Sequence, residues 1–268
     1  MRSWKVLSDR LVAAGFIRPS VLFQGLQLSR PAASRWPVSL LIGLSGLLVE
    51  PLAWLQTLLF QQRLRRSKLP PDPVVVIGHW RSGTTFLHQL LASDPAWATA
   101  RNSLTWLHDG AGSSRLLIKN SAHMARVAMV LRHFPRARFV LLRREAEDSI
   151  SSLVQVKQRL AELVGLQPAP DLCTQVEQTV AAHRQLINAF ELSRHLIPAD
   201  QLLEVDYNDL VAMPLKTVHR IYDHFRLGGW DEARGPIRKR ISQARSYTAD
   251  PVQLPAEAQR RLQELLAP

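Results

Sequence analysis

Two glycines five residues apart follow an uninterrupted apolar run, and together they form a segment that can bind an anion. Residues 74–85 read Val-Val-Val-Ile-Gly-His-Trp-Arg-Ser-Gly-Thr-Thr, which predicts a buried strand, a loop between Gly78 and Gly83, and the start of a helix. Glycines let the backbone approach an anion closely, and the N–H groups of a helix start bind phosphate. The loop is therefore predicted to hold a phosphate-like group.

The cation nearest this loop in sequence is an arginine. A P-loop that hydrolyses nucleoside triphosphates carries a lysine after its second glycine, where it reaches the β and γ phosphates. That position is Thr84 here, and the nearest cation is Arg81. A nucleotide kinase or NTPase would also need an acidic Mg²⁺ ligand on a later strand, for which no convincing candidate occurs. Such an enzyme remains an alternative function.

Three further segments place reactive side chains after predicted strands. They supply Arg143 and Ser151, then Tyr207, and finally Lys119 and His123. An arginine and a serine at a strand end suit a dianion, because a guanidinium donates several hydrogen bonds in a fixed geometry. Each residue alone has a plain structural interpretation, as a solvated charge, a rim aromatic or a helix cap. Asp209, two residues after the tyrosine, is predicted to be a helix N-cap.

Together these segments resemble the sulfotransferases that use 3′-phosphoadenosine 5′-phosphosulfate (PAPS). The loop is similar to the His-Trp-Arg-Ser-Gly-Thr-Thr loop of bacterial members, and three motifs occur in family order from about Pro73 to Leu227. The resemblance implies that the loop binds the 5′-phosphosulfate, that Arg143 and Ser151 bind the 3′-phosphate, and that Tyr207 lies near the nucleoside. The loop residues so assigned are Arg81, Ser82, Gly83, Thr84 and Thr85.

The resemblance also implies the catalytic residues. The segment from Leu116 to His123 is similar to the family's Lys-Ser-Pro-Ala-His segment. Lys119 and Arg81 would neutralise charge on the sulfuryl and bridging oxygens, while His123 would take the proton of the acceptor. The cytosolic sulfotransferases carry their histidine two positions nearer the lysine, so His123 has a structural alternative as a helix cap. No metal is expected.

Two other departures from the family concern the acceptor. Residues 99–103 carry no acid where the tyrosylprotein sulfotransferases have their catalytic glutamate, and the segment from Trp106 to Arg115 is shorter than the helical insert of similar enzymes. The expected acceptor is a hydroxyl or amine of a small molecule, a glycan or a lipid. A trimmed acceptor site, a site completed by a partner and a chain that binds the donor without turnover are all open, and altered substrate choice is the favoured interpretation.

The composition indicates a globular protein with a preference for anions. The chain has 268 residues, 46% of them apolar, with 34 basic and 22 acidic side chains that give a net charge of +12. Its single cysteine excludes an internal disulfide. Such charge suits an anionic ligand, a nucleic acid or an anionic membrane. A non-catalytic module that binds nucleic acid or a membrane surface is thus a further alternative, although the motifs do not favour nucleic acid.

The elements that must position these residues alternate in the βα manner. The pattern predicts strands over 74–77, 116–118, 138–142 and 202–205, with helices over 84–92, 123–133, 148–163, 171–196 and 209–225. This order indicates an α/β fold, a P-loop-like three-layer domain around a central parallel sheet. The last thirty or so residues are expected to wrap the surface. Residues 73–268 would form this sulfotransferase-like domain, and residues 1–72 an N-terminal helical region with a basic linker.

The segment from Pro37 to Phe60 is the most apolar in the sequence. Glu50 and Pro51 interrupt it, and leucines recur at helical spacing on each side, which predicts two packed helices. An interfacial anchor and a membrane span are the alternatives. The basic residues that follow would suit an anionic surface, so peripheral membrane contact through residues 37–68 is possible. No secretory signal is evident, and a cytoplasmic location is expected.

Overall fold

A computed structural model describes residues 19–28, 31–66, 70–99, 115–244 and 253–267. The described residues divide into two compact units. One comprises the residues up to Arg66 together with Val154–Gln175, and the other comprises those from Ser67 to Leu153 and from Val176 onward. The division at residue 72 stays a prediction. The shortened segment between Trp106 and Arg115 and the acid-free stretch at 100–103 lie outside the described residues.

In the described chain, helices and strands alternate as expected for an α/β protein. The helices are α1 (Pro19–Leu28), α2 (Trp36–Arg66), α3 (Thr84–Leu91), α4 (Val127–His133), α5 (Ala146–Val164), α6 (Leu172–Arg194), α7 (Tyr207–Ala212), α8 (Pro214–His224), α9 (Trp230–Ala244) and α10 (Ala256–Leu266). The strands are β1 (Val74–Gly78), β2 (Trp97–Thr99), β3 (Arg115–Lys119), β4 (Arg138–Arg143) and β5 (Leu202–Asp206). A 3₁₀ turn, Ser121–Arg126, precedes α4.

The five strands form one parallel sheet in the order β2-β3-β1-β4-β5. Strand β1 is buried along its whole length and lies between β3 and β4. Val74 and Val76 belong to a core with α3, α7, α8 and α9, whereas Val75 and Ile77 belong to a core with α4 and α6. Side chains on a strand alternate between its two faces, so helices cover both. The predicted three-layer α/β fold is confirmed.

Three differences from the predicted elements have local causes. Strand β2 was not predicted, because three residues are too few for a periodic pattern to be recognised. Residues 209–225 form two helices, since Pro214 disfavours helical geometry at Met213, whose φ is −133° and ψ 60°. Asp206 caps α7 through the Asn208 N–H at 2.7 Å, which corrects the assignment to Asp209.

The segment predicted as two packed helices is one helix, α2, and Pro51 lies inside it. A proline removes one helical hydrogen bond and typically costs about 3 kcal/mol or more, but the flanking leucines have high helix propensity. In the described part of the chain, no helix combines the length and the apolar character that a membrane span needs. Among the last thirty or so residues, Ile241 of α9 and Ala258 and Leu262 of α10 are buried, so this part of the chain contributes to the packing as well as covering the surface.

Candidate functional site

The loop between β1 and α3 is held in a shape that two glycines and one strained residue make possible. Gly83, the N-cap of α3, has φ 88° and Arg81 has φ 69°, both in the left-handed region. A Cβ atom on Gly78 would lie 2.7 Å from the Leu142 carbonyl oxygen. The Ser82 hydroxyl donates to the His79 carbonyl at 2.7 Å. The loop therefore turns tightly beside the end of β4.

The start of α3 offers backbone N–H groups to a ligand. Its N-cap, Gly83, has no side chain to cap it. The first N–H groups of an α-helix have no intrahelical partner and carry partial positive charge. Thr84 is buried and Thr85 exposed. This arrangement suits an anion, as the sequence predicts.

Arg81 projects from this loop toward the helix that follows β4. Its Nε donates to the Ser152 hydroxyl at 2.9 Å, and Ser152 is buried on α5. Ser151, the neighbouring serine that the sequence assigns to the 3′-phosphate, is also buried. The structure therefore brings the β1–α3 loop and the serines of α5 together. Ser152 was not predicted, because nothing in the spacing distinguishes it from Ser151.

Arg144 is a second arginine of the site that sequence reasoning missed. Its Nη1 donates to the Arg81 carbonyl at 2.8 Å, and its guanidinium lies 4.3 Å from the centre of the Tyr207 ring. Its Nε is buried and has no hydrogen-bond partner among the described residues. A planar guanidinium both stacks on an aromatic ring and donates in a fixed direction. Arg144 thus links the strained residue of the loop to the end of β5.

Tyr207 lies directly against the second glycine. A Cβ atom on Gly83 would lie 2.7 Å from Tyr207 Cδ2 and 3.0 Å from Cε2. The predicted site residues Arg81, Gly83 and Tyr207 are therefore neighbours, and Arg144 contacts two of them. Any side chain at Gly83 would displace the ring or the loop.

Arg143 is held by carboxylates. Its Nε donates to Glu204, and its Nη2 lies 3.4 Å from Glu191. The hydrogen bond with Glu204 raises the pKa of Arg143 despite partial burial. Arg194 also pairs with both carboxylates, so the cluster contains two charges of each sign. None of the described contacts of Arg143 is to Ser151.

Lys119 and His123 follow β3, the neighbour of β1. Lys119 is exposed and pairs in register with Val76, and the Asn120 side chain caps the turn by accepting from Ala122 N at 3.0 Å. His123 Nδ1 is buried without a hydrogen-bond partner among the described residues. Burial, followed by the nearby charge of Arg126, lowers the pKa of His123 below its usual 6.5. The imidazole is therefore neutral at pH 7 and can accept a proton.

A buried pair of histidines lies beside the loop. The His79 and His183 rings are 4.4 Å apart, and His79 is 5% exposed. Burial, with a smaller effect of Arg184, lowers the pKa of His183. The contact between the two rings packs the loop against α6. His183 gave no sequence signal, because one histidine within a helix is most often structural.

The chain matches known sulfotransferases along most of its length. The family model of the sulfotransferase family matches residues 73–109 and 96–232. The omega-hydroxy-beta-dihydromenaquinone-9 sulfotransferase Stf3 of Mycobacterium tuberculosis is 20% identical over 313 residues, which span 84% of this chain and 80% of the relative. The protein of the same name from Mycobacterium bovis matches equally well.

Two solved structures have a similar fold. Sulfotransferase STF1 from Mycobacterium tuberculosis superposes with a TM-score of 0.59 and 19% identity, covering 90% of this chain and 89% of its own. Sulfotransferase STF9 from Mycobacterium avium gives 0.57 and 15% identity, with 78% of each chain covered. The fold and the order of the elements are thus shared, whereas the sequences have diverged widely.

Proposed function

Because the chain belongs to the sulfotransferase family and catalyses sulfuryl transfer, we propose that it takes the sulfuryl group from PAPS and passes it to the hydroxyl of a lipid. The observation that carries the donor assignment is the loop from Gly78 to Gly83 at the end of the central strand. Its glycines let it turn tightly against Leu142 and Tyr207, and it leads directly into the N-terminus of α3, whose N-cap Gly83 has no side chain. These features fit a phosphosulfate without the lysine that a triphosphate needs.

The predicted residues bind three parts of the donor: the 5′-phosphosulfate, the nucleoside and the 3′-phosphate. Arg81 and the N–H groups of the loop and of α3 bind the 5′-phosphosulfate, with the Ser82, Thr84 and Thr85 side chains around it. Tyr207 lies beside the nucleoside. Arg143 and Ser151 bind the 3′-phosphate, which requires the Arg143 guanidinium to exchange at least one of its carboxylate partners. A phosphate dianion carries more charge and accepts more hydrogen bonds than a carboxylate, so it can displace one from the guanidinium.

The transfer needs one base and several cations. PAPS, when bound, supplies the sulfuryl group and a good leaving group. His123 takes the acceptor's hydroxyl proton as the new O–S bond forms and the old bridging O–S bond breaks. Lys119 and Arg81 stabilise the negative charge that develops on the sulfuryl and bridging oxygens. Adenosine 3′,5′-bisphosphate and a sulfate ester are the products.

The acceptor assignment rests on the curated relatives, whose name gives an omega-hydroxylated dihydromenaquinone as their acceptor. A lipid hydroxyl is the corresponding class for this chain, within the broader range of small-molecule, glycan and lipid acceptors. A lipid is reached at a membrane surface. We therefore place the protein in the cytoplasm, in peripheral contact with a membrane through residues 37–68.

The first test of the donor site compares two nucleotides that differ only in the 3′-phosphate. We expect calorimetry to show micromolar binding of adenosine 3′,5′-bisphosphate and weaker binding of adenosine 5′-phosphate and ATP. Arg143→Ala should weaken only the bisphosphate, by about ten- to a hundredfold, because a charge-assisted hydrogen bond contributes about 1.5–3 kcal/mol. Preference for ATP in the wild type would refute the PAPS assignment, and an equal loss for both adenosine phosphates would refute the role of Arg143.

Arg144→Ala should behave differently, because Arg144 acts on the loop. It removes the contacts to the Arg81 carbonyl and the Tyr207 ring, so binding of both adenosine phosphates should weaken by roughly tenfold. Arg144→Lys should not restore binding, since an ammonium group cannot stack and donate in the same plane. Arg138→Ala, at the far end of β4 and paired with Asp72, is the matched control. Full rescue by lysine would contradict this role.

A further inference from the structure

Helix α2 is apolar on two opposite sides. On one side Val38 and Ile42 are buried against Leu22 of α1 and Val164 of α5. This packing lies within one compact unit. This packing buries the side of α2 that faces α1, near the N-terminus of α2. It leaves the leucines and tryptophans on the other side of the helix uncovered.

The other side carries an exposed apolar stripe. Leu47 and Leu58 are 68% and 69% exposed, and the further exposed members are Trp36, Leu40, Leu44, Pro51, Trp54 and Leu55. The spacings are three or four residues, with Leu55 directly after Trp54. At about 100° per residue, these positions fall in a sector about 100° wide and about 33 Å long. The stripe is therefore a single continuous surface, with no polar position inside it.

A helix that is apolar all round is normally covered on both sides or lies in lipid. Exposed apolar patches of this kind mark interaction surfaces. None of the described helices is both long and apolar enough to span a membrane. The remaining occupants are a membrane surface, a second copy of the chain, or another segment of this chain.

Charge favours the membrane surface over a second copy. The exposed stripe has no acidic member, and Glu50 is the one acid in the helix, at a half-buried position away from the stripe. The sequence at the end of α2 continues with Arg63, Arg65, Arg66 and Lys68, and the chain carries a net charge of +12. A second copy would bring the same positive charge against itself, whereas an anionic bilayer complements it. Trp36 and Trp54 suit the boundary between water and lipid.

We propose that the stripe on α2 lies in the plane of an anionic membrane, with its leucines among the acyl chains. This deepens the proposed lipid-acceptor function, since it gives the enzyme access to a substrate dissolved in the bilayer. The geometry of the stripe itself does not depend on that function. Membrane binding should therefore be measurable without donor or acceptor.

The test is flotation of the full chain with vesicles of phosphatidylcholine alone or mixed with phosphatidylglycerol. We expect wild type to bind the anionic vesicles, and to bind less at high salt. The double variant Leu47→Ser, Leu58→Ser should lose roughly tenfold in partitioning for each leucine. Leu192→Ser is the matched control, because this leucine is 78% exposed on α6, outside the stripe.

Each contrary outcome overturns the proposal in its own way. Wild type that binds neither vesicle, or stripe variants that bind like wild type, would exclude the membrane as the occupant. A dimer that the stripe variants dissociate, with no vesicle binding, would assign the surface to a second copy. Circular dichroism shows whether each variant is folded. If Leu47→Ser, Leu58→Ser misfolds, the double variant Leu40→Ser, Leu44→Ser replaces it in the flotation test. Titration with adenosine 3′,5′-bisphosphate reports the donor site separately, so the two proposals can fail independently.

Discussion

Gly83→Ala is expected to weaken the binding of adenosine 3′,5′-bisphosphate by about a hundredfold, because a 1 Å displacement at a site costs about that much. The residue has φ 88°, and a Cβ atom there would lie 2.7 Å from Tyr207. A left-handed backbone at a residue other than glycine costs about 1–3 kcal/mol. The alanine must therefore displace the loop, the Tyr207 ring or both. This displacement removes contacts between these groups and the bound nucleotide.

Calorimetry of Gly83→Ala measures the loss of nucleotide binding, and urea unfolding of the same variant measures the loss of stability. The free energy of unfolding should fall by about 1–3 kcal/mol from the strained φ, with a further loss from the contact with Tyr207. Gly235→Ala is the control, because Gly235 lies in α9 with no atom within 4 Å of an added Cβ. That change should leave nucleotide binding unaltered and stabilise the helix by up to about 1 kcal/mol. Binding by Gly83→Ala within tenfold of wild type would contradict the assigned loop.

His123→Gln is expected to lower kcat/KM by about 10²–10⁴-fold, the usual contribution of a general base. In the wild type the acid limb of the pH–rate profile should lie below pH 6.5, because burial and then Arg126 lower the pKa of His123. Arg126→Ala should move this limb to higher pH, since it removes the positive charge. The measurement is sulfuryl transfer from radiolabelled PAPS to prenyl alcohols, beginning with farnesol.

Stability must be followed over the same pH range. Because the folded protein favours the neutral imidazole of His123, its contribution to stability is complete above the unfolded pKa of about 6.5 and is lost as the pH falls from there through the lower folded pKa. Unfolding curves at each pH therefore show whether activity falls because His123 is protonated or because the protein unfolds. His133→Gln is the matched control, because His133 is exposed on α4 and bonds the Met129 carbonyl at 2.8 Å. Unchanged kcat/KM in His123→Gln would refute the base assignment.

The parts of this molecule that the sequence predicts are those with local causes. The apolar runs at Val74 and Arg138 identify central strands, and the glycines of the loop identify a tight turn, because both patterns act over a few residues. Strand β2 is too short to leave such a pattern. The single helix α2 was misjudged because proline is the strongest local sign of a helix end, yet the helix continues through Pro51.

Contacts between distant residues explain what was missed at the site. Arg143 and Arg144 are adjacent and chemically identical, so their different partners cannot be read from the chain. Glu191 and Glu204, which hold Arg143, are 48 and 61 residues away. The contact of Arg144 with Tyr207 likewise depends on the pairing of β4 with β5. The roles proposed for Lys119, His123, Arg143 and Ser151 stay predictions until the variants are measured.

The strand order places the donor loop and Lys119 at the ends of two neighbouring strands, β1 and β3. The chain leaves β1 toward one face of the sheet, through α3, and leaves the adjacent β3 toward the other face, through α4. Where neighbouring strands send their connections to opposite faces, a crevice opens at their carboxyl ends, whatever side chains are present. Because β1 and β3 are such a pair, this path is consistent with a binding site between the loop and Lys119. Replacing Lys119 or His123 should leave a protein that binds nucleotide like the wild type but transfers the sulfuryl group far more slowly.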